Sequence, residues 1–75
     1  MFEELREIIC NYVEAEPSDI HPDSRFMEDL GFTSFDFVSM MGELEEQYDI
    51  EIDSAQAGSI RTVQEAVDYL STIIE

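Results

Sequence analysis

Apolar residues fall into three helical stripes along this chain, separated by stretches in which the helical spacing is lost. Within residues 2–13, Phe2, Leu5, Ile8, Ile9, Tyr12 and Val13 recur three or four places apart, with Glu3, Glu4, Arg6, Glu7 and Asn11 between them. That spacing predicts an amphipathic helix with one buried stripe, and the early glutamates suit the positive end of its dipole. Phe37, Val38, Met41, Leu44 and Tyr48 repeat the pattern in mid-chain, where Asp36, Glu43, Glu45 and Glu46 take the other faces. A second helix buried on those five residues is predicted from Ser34 to about Tyr48. The third stripe, Val63, Ala66, Val67, Leu70 and Ile73 or Ile74, follows Thr62-Val63-Gln64-Glu65, a capping box in which hydroxyl and carboxylate each bond the other's backbone N–H.

The connecting stretches have their own chemistry. Pro17 and Pro22 interrupt any helix across residues 14–33, and Ser18, Asp19, Asp23 and Ser24 are turn and cap residues. A connection of about 20 residues is long, so it should carry function or be anchored along its length, with Ile20, Phe26, Met27 and Leu30 as the anchors. Gly31 permits a backbone conformation that residues with a Cβ avoid, and Thr33 has the side chain of an N-cap, with Asp36 as an acidic variant of the capping box. Asp49-Ile50-Glu51-Ile52-Asp53 alternates like a strand but has no partner, so it reads as an extended loop whose Ile50 or Ile52 reaches the core. Ser54 is expected to cap a short turn over residues 55–58, and Ile60 to re-enter the interior. Gly42 lies inside the second helix at a cost of up to about 1 kcal/mol relative to alanine if exposed. Either it has no role or its missing side chain opens interior space or admits another backbone. The pattern as a whole predicts an all-α fold, a small bundle of three main helices plus one short helix with a long first loop, in one domain over residues 1–75.

Size and charge narrow the function. A chain this short buries only about 60% of the surface its unfolded form exposes, so a deep catalytic cavity is not expected. Nineteen acidic residues stand against three arginines and no lysine, for a formal net charge of -16. Such a field repels nucleic acid and anionic membrane and favours encounters with basic protein surfaces, unless it serves solubility alone. Cys10 is the only cysteine, so no internal disulfide can form. The first residues lack the features of a signal peptide, and no stretch approaches the roughly 18 apolar residues of a membrane span. A cytoplasmic monomer is the expectation.

Catalytic templates fail on spacing. Around Ser34 the sequence Gly31-Phe32-Thr33-Ser34-Phe35-Asp36 is unlike the Gly-x-Ser-x-Gly elbow, and His21 is the only candidate base. His21 also has no second ligand at metal-binding spacing. Asp49, Glu51 and Asp53 begin like a calcium loop, but Ser54 stands where that loop needs glycine and Ile60 where it needs glutamate, so no specific metal site is expected. Ser34 does sit in the first turn of a helix, where backbone N–H groups favour an attached anion. Spacing alone leaves it open whether this serine accepts a phosphate-linked group or is one more residue beside the cap.

Leu30-Gly31-Phe32-Thr33-Ser34-Phe35-Asp36-Phe37-Val38 resembles the phosphopantetheine attachment signature of acyl carrier proteins. The segments Glu43 to Ile52 and Thr62 to Leu70 resemble that family's second helix with its following loop, and its last helix, so the likeness runs over essentially the whole chain. The resemblance implies a non-enzymatic carrier with 4′-phosphopantetheine attached covalently to Ser34 from coenzyme A, Mg²⁺ being needed only by the phosphopantetheinyl transferase during modification. It implies transport of acyl thioesters among acyl-transfer, condensing and reducing enzymes with basic docking patches, in fatty-acid, polyketide or related biosynthesis. By position it implies docking through Thr33, Phe35, Asp36, Glu43, Glu45 and Glu46. It also implies an acyl cleft formed by Phe26, Val38, Met41, Leu44, Ile52, Ile60 and Ala66. Three residues depart from the usual pattern: Thr33 replaces an aspartate, Phe35 a leucine, and Ser39 an acidic docking residue. An aminoacyl or peptidyl carrier of a dedicated pathway, or an unmodified acidic interaction or ion-binding domain, are the alternatives.

Overall fold

The computed structural model describes residues 1–74. Its first helix, α1, spans Phe2–Ile9 and buries Leu5, Ile8 and Ile9. It stops short of the predicted Val13 because the next turn tightens: the N–H groups of Asn11 and Tyr12 bond the carbonyls of Ile8 and Ile9, three residues back, at 3.0 and 2.9 Å. Tyr12 and Val13 still pack half-buried against the core from that turn.

The long connection is anchored by both side chains and backbone. Pro17, expected only to break helices, opens a single 3-10 turn over Pro17–Asp19, where its fixed φ suits the first position. Ile20 and Phe26 are buried as predicted, and Phe32, not among the predicted anchors, is buried too. Met27 corrects the sequence reading: it is 52% exposed. The Phe26 ring packs edge-on against Phe32 and Phe37, each at 5.3 Å between centroids. Backbone bonds then tie the loop to the start of the last helix and the residue before its cap: Phe26 N–H donates to Arg61 O at 3.0 Å, Val63 N–H to Ser24 O at 3.0 Å, and Gln64 N–H to Pro22 O at 2.8 Å.

Helix α2, Ser34–Tyr48, begins at the predicted capping box. Thr33 Oγ1 accepts from Asp36 N–H at 3.1 Å, and Asp36 Oδ2 accepts from Thr33 N–H at 3.2 Å. It buries Met40, Met41 and Leu44, with Phe37 and Tyr48 partly covered. Val38 is a second correction, being 68% exposed, whereas Met40 is fully buried. Each residue turns the helix by about 100°, so Val38 lies about 60° beyond one edge of the arc of Phe37, Met41, Leu44 and Tyr48, while Met40 lies closer, about 40° beyond the other edge. The helix ends at Asp49, which takes the left-handed conformation at φ 54°, one that aspartate tolerates better than most residues.

Residues 50–53 are extended without pairing, and both Ile50 and Ile52 pack partly buried against the core. The short helix α3, Ser54–Ala57, is capped by Asp53, whose Oδ1 accepts from Ala55 N–H at 2.8 Å. Ser54, expected to be that cap, is instead its first helical residue. Helix α4, Val63–Ile73, starts at the predicted Thr62/Glu65 box and buries Val63, Ala66 and Leu70. It packs directly against α1, and these two helices close with Met40 and Leu44 of α2 around one core. Among the described residues there is no strand, only an isolated bridge between Arg25 and Thr62.

Glu65 links this cap to pH. Its carboxylate accepts from the backbone N–H groups of Arg61 and Thr62, and these bonds hold its pKa below the usual 4.5. The stabilisation is therefore present above the unfolded-state pKa and lost as pH falls through the folded one. Glu65→Gln should flatten that part of the stability profile on the acid side, measured by urea melts at stepped pH.

Gly42 is exposed on α2, and a Cβ added there meets nothing within 4 Å. No backbone approaches it, so close packing does not require the glycine. Gly42→Ala should stabilise the fold by up to about 1 kcal/mol, read as a higher urea midpoint at unchanged slope.

Candidate functional site

Ser34 is brought to the surface by the order in which its neighbours are tied down. Phe32 is driven inward and its N–H bonds Phe26 O at 2.9 Å, Gly31 turns the chain at φ 79°, and Thr33 closes the capping box. Thr33 and Asp36 satisfy each other, so capping makes no demand on Ser34. Its side chain is exposed and, among the described residues, forms no hydrogen bond. The N–H groups of the first helical turn have no partner one turn earlier in the helix, which leaves partial positive charge beside the Ser34 hydroxyl.

Upstream, Arg25 braces the same loop. Its guanidinium bonds Asp29 through Nε at 3.1 Å and Nη2 at 3.2 Å, its backbone N–H bonds Asp29 Oδ2 at 2.8 Å, and Glu28 lies 3.4 Å away. These hydrogen bonds from Arg25 hold the Asp29 carboxyl below the usual carboxylate range.

Two clefts adjoin along the side of α2 facing α3. The first, about 520 Å³, has Ser34 at its rim with Phe26, Met27, Phe37, Ile60 and Arg61. The second, about 300 Å³, is lined by Val38, Met41, Gly42, Ile52 and Glu45. Phe37, Ala57 and Gly58 border both, so the two apolar clefts adjoin as parts of a groove whose first part Ser34 helps to line. Of the residues expected at a cleft, Phe26 and Ile60 fall in the first part and Val38, Met41 and Ile52 in the second. Leu44 and Ala66 are fully buried in the core and line neither.

The acidic residues of α2 divide by what holds them. Asp36 serves the cap, Glu43 Oε1 accepts from Tyr12 O–H at 2.8 Å, and Glu45 Oε2 accepts from Ile52 N–H at 2.8 Å. The Glu43 bond, with burial and the Glu43 and Asp36 charges, pushes the Tyr12 hydroxyl up from its usual pKa of 10.0. Glu46 is exposed and, among the described residues, makes no such bond. What the sequence reading missed is an apolar stripe: Phe35, 78% exposed, and Val38 stand on one face of α2 with Gly42 and Glu46. The spacing 35, 38, 42, 46 is helical, and a second stripe of that period was the available signal. His21 is exposed and lines neither part of the groove, so the fold does not bring it to Ser34. Among the described residues no cluster of His, Cys, Asp and Glu is arranged to hold a metal, and no helix is long and apolar enough to cross a membrane.

Comparison with known proteins agrees with this geometry. Residues 3–70 match the family model described as a phosphopantetheine attachment site. The chain is 36% identical over 73 residues to an acyl carrier protein of Sulfurovum sp. (strain NBC37-1), covering 97% of each. Its fold is similar to the solved structure of a proposed acyl carrier protein from Mycobacterium tuberculosis, with a TM-score of 0.86, 26% identity, and coverage of 96% of this chain and 97% of that one. Given the family match across the three main helices and the near full-length relative, the chain belongs to the acyl carrier protein family, whose members bear covalent phosphopantetheine and carry cargo without being enzymes.

Proposed function

We propose that Ser34 is the attachment residue, and that the protein carries acyl intermediates for a fatty-acid, polyketide or related pathway. The observation that carries this reading is an exposed, unengaged serine hydroxyl at the mouth of an apolar groove. In the modification step a phosphopantetheinyl transferase, with Mg²⁺, lets the Ser34 hydroxyl displace the adenosine bisphosphate half of coenzyme A. One phosphodiester bond forms as one pyrophosphate bond breaks. Once attached, the arm supplies a terminal thiol on which cargo is held as a thioester. The chain's own residues do the rest: the capping box fixes where the arm begins, and Phe26, Phe37 and Ile60 offer apolar shelter beside it.

Docking is assigned to the outer face of α2. Phe35 and Val38 present apolar area, Glu46 a free charge, and Asp36, Glu43 and Glu45 a negative field although each is also held internally. The partner this face suits has an apolar pocket that admits an aromatic ring, rimmed by basic residues; buried aromatic anchors with a charged rim are how such interfaces gain energy and encounter rate. Intact-mass measurement after incubation with coenzyme A, Mg²⁺ and a broad-specificity transferase should show addition of one arm. No addition would overturn the assignment of Ser34.

Thr33 gives a second test. Thr33→Asp keeps a good N-cap and adds a charge beside Ser34, so stability should change by less than about 0.5 kcal/mol. The initial rate of modification should rise, because a basic transferase gains attraction at its point of contact. An unchanged rate at low salt would show that the charge before the serine is not used in recognition.

A further inference from the structure

Arg61 occupies an unusual place in so acidic a protein. Of the three arginines, Arg25 is engaged by Asp29 and Glu28, and Arg6 lies over the Phe2 ring at 5.4 Å. Arg61 instead donates Nη1–H to Gly58 O at 3.0 Å and, among the described residues, has no carboxylate within 4.0 Å of its guanidinium. Glu65 bonds its backbone N–H and not its side chain. The same Arg61 lines the part of the groove that has Ser34 at its rim. Glu28, the acidic residue of that lining, is already partnered by Arg25.

We propose that Arg61 is the anchor for the phosphodiester attached at Ser34, a role that rests on the assignment of Ser34. The bond to Gly58 O holds the guanidinium in place and leaves its other N–H groups for an oxyanion. Guanidinium and phosphate match in charge and in donor geometry, and arginine can meet two phosphate oxygens at once. Anchoring there lays the base of the arm along the groove instead of letting it point freely into solvent. The anchor is exposed, so it is weakened by salt.

The test compares apo and fully loaded protein by NMR, with the mass spectrum confirming loading. Three arginines give three Nε–H signals, and that of Arg61 should shift and exchange more slowly with water on loading, while those of Arg6 and Arg25 stay in place. The phosphorus signal of loaded Arg61→Gln should move away from wild type, Arg61→Lys should fall between them, and salt of about 1 M should bring wild type toward the glutamine variant. A loaded protein whose Arg61 signal and phosphorus shift are both indifferent to loading, substitution and salt overturns the anchor and leaves Ser34 standing. Failure of the arm to attach overturns both. If Arg61→Gln does not fold, the wild-type comparison of apo and loaded Nε–H signals still decides the matter.

Discussion

Ser34→Ala is expected to abolish the mass gain from coenzyme A, Mg²⁺ and a transferase completely while changing folding stability by less than about 0.5 kcal/mol. The two readouts separate because the serine is exposed and unbonded, and because helix capping belongs to Thr33 and Asp36. Alanine is the better helix former, so the small stability change should favour the variant. Residual modification in the alanine variant would place the arm on another hydroxyl and overturn the proposed site. A large loss of stability would instead show that the hydroxyl supports the loop.

Phe26→Ala should have the largest effect on the fold, a loss of about 3–5 kcal/mol. Phe26 is 2% exposed and its ring is the hub between Phe32 and Phe37, joining the long loop to the start of α2. Its backbone N–H also pairs with Arg61 O, which ties the loop to the approach to α4. A domain of this size has a total stability of about 4–11 kcal/mol at typical values per residue, so the variant should melt far lower or be partly unfolded at 25 °C. Urea melts followed by near- and far-UV circular dichroism check this. Because the same ring lines the groove beside Ser34, modification should slow as well. A midpoint within about 1 kcal/mol of wild type would show that the aromatic hub does not hold the loop.

Both capping boxes were legible in the chain because they depend on residues three places apart, a local geometry that any helix start reproduces. The buried stripes of α1 and α4 were legible for the same reason. Val38 and Met27 were not. An apolar residue at the edge of an arc can face the core or the solvent, and the helix period alone cannot choose when Phe37, Val38, Met40 and Met41 are all apolar. Gly31 and Thr33 mark the surroundings of Phe32 as a turn, and only the tertiary packing of the Phe26 and Tyr12 rings gives it a place to be buried.

The sequence by itself determined three amphipathic helices, their starts, a serine beside a cap, and a strongly negative charge, because each follows from neighbours in the chain or from summed charge. Tertiary structure alone decided that Ser34 opens onto a groove, that Phe35 and Val38 face outward, and that Glu43 and Glu45 are held by Tyr12 and Ile52. It also set Arg61 in the same groove as the serine. These are contacts between residues far apart in sequence, and they exist only once loop, α2 and α3 close on one core.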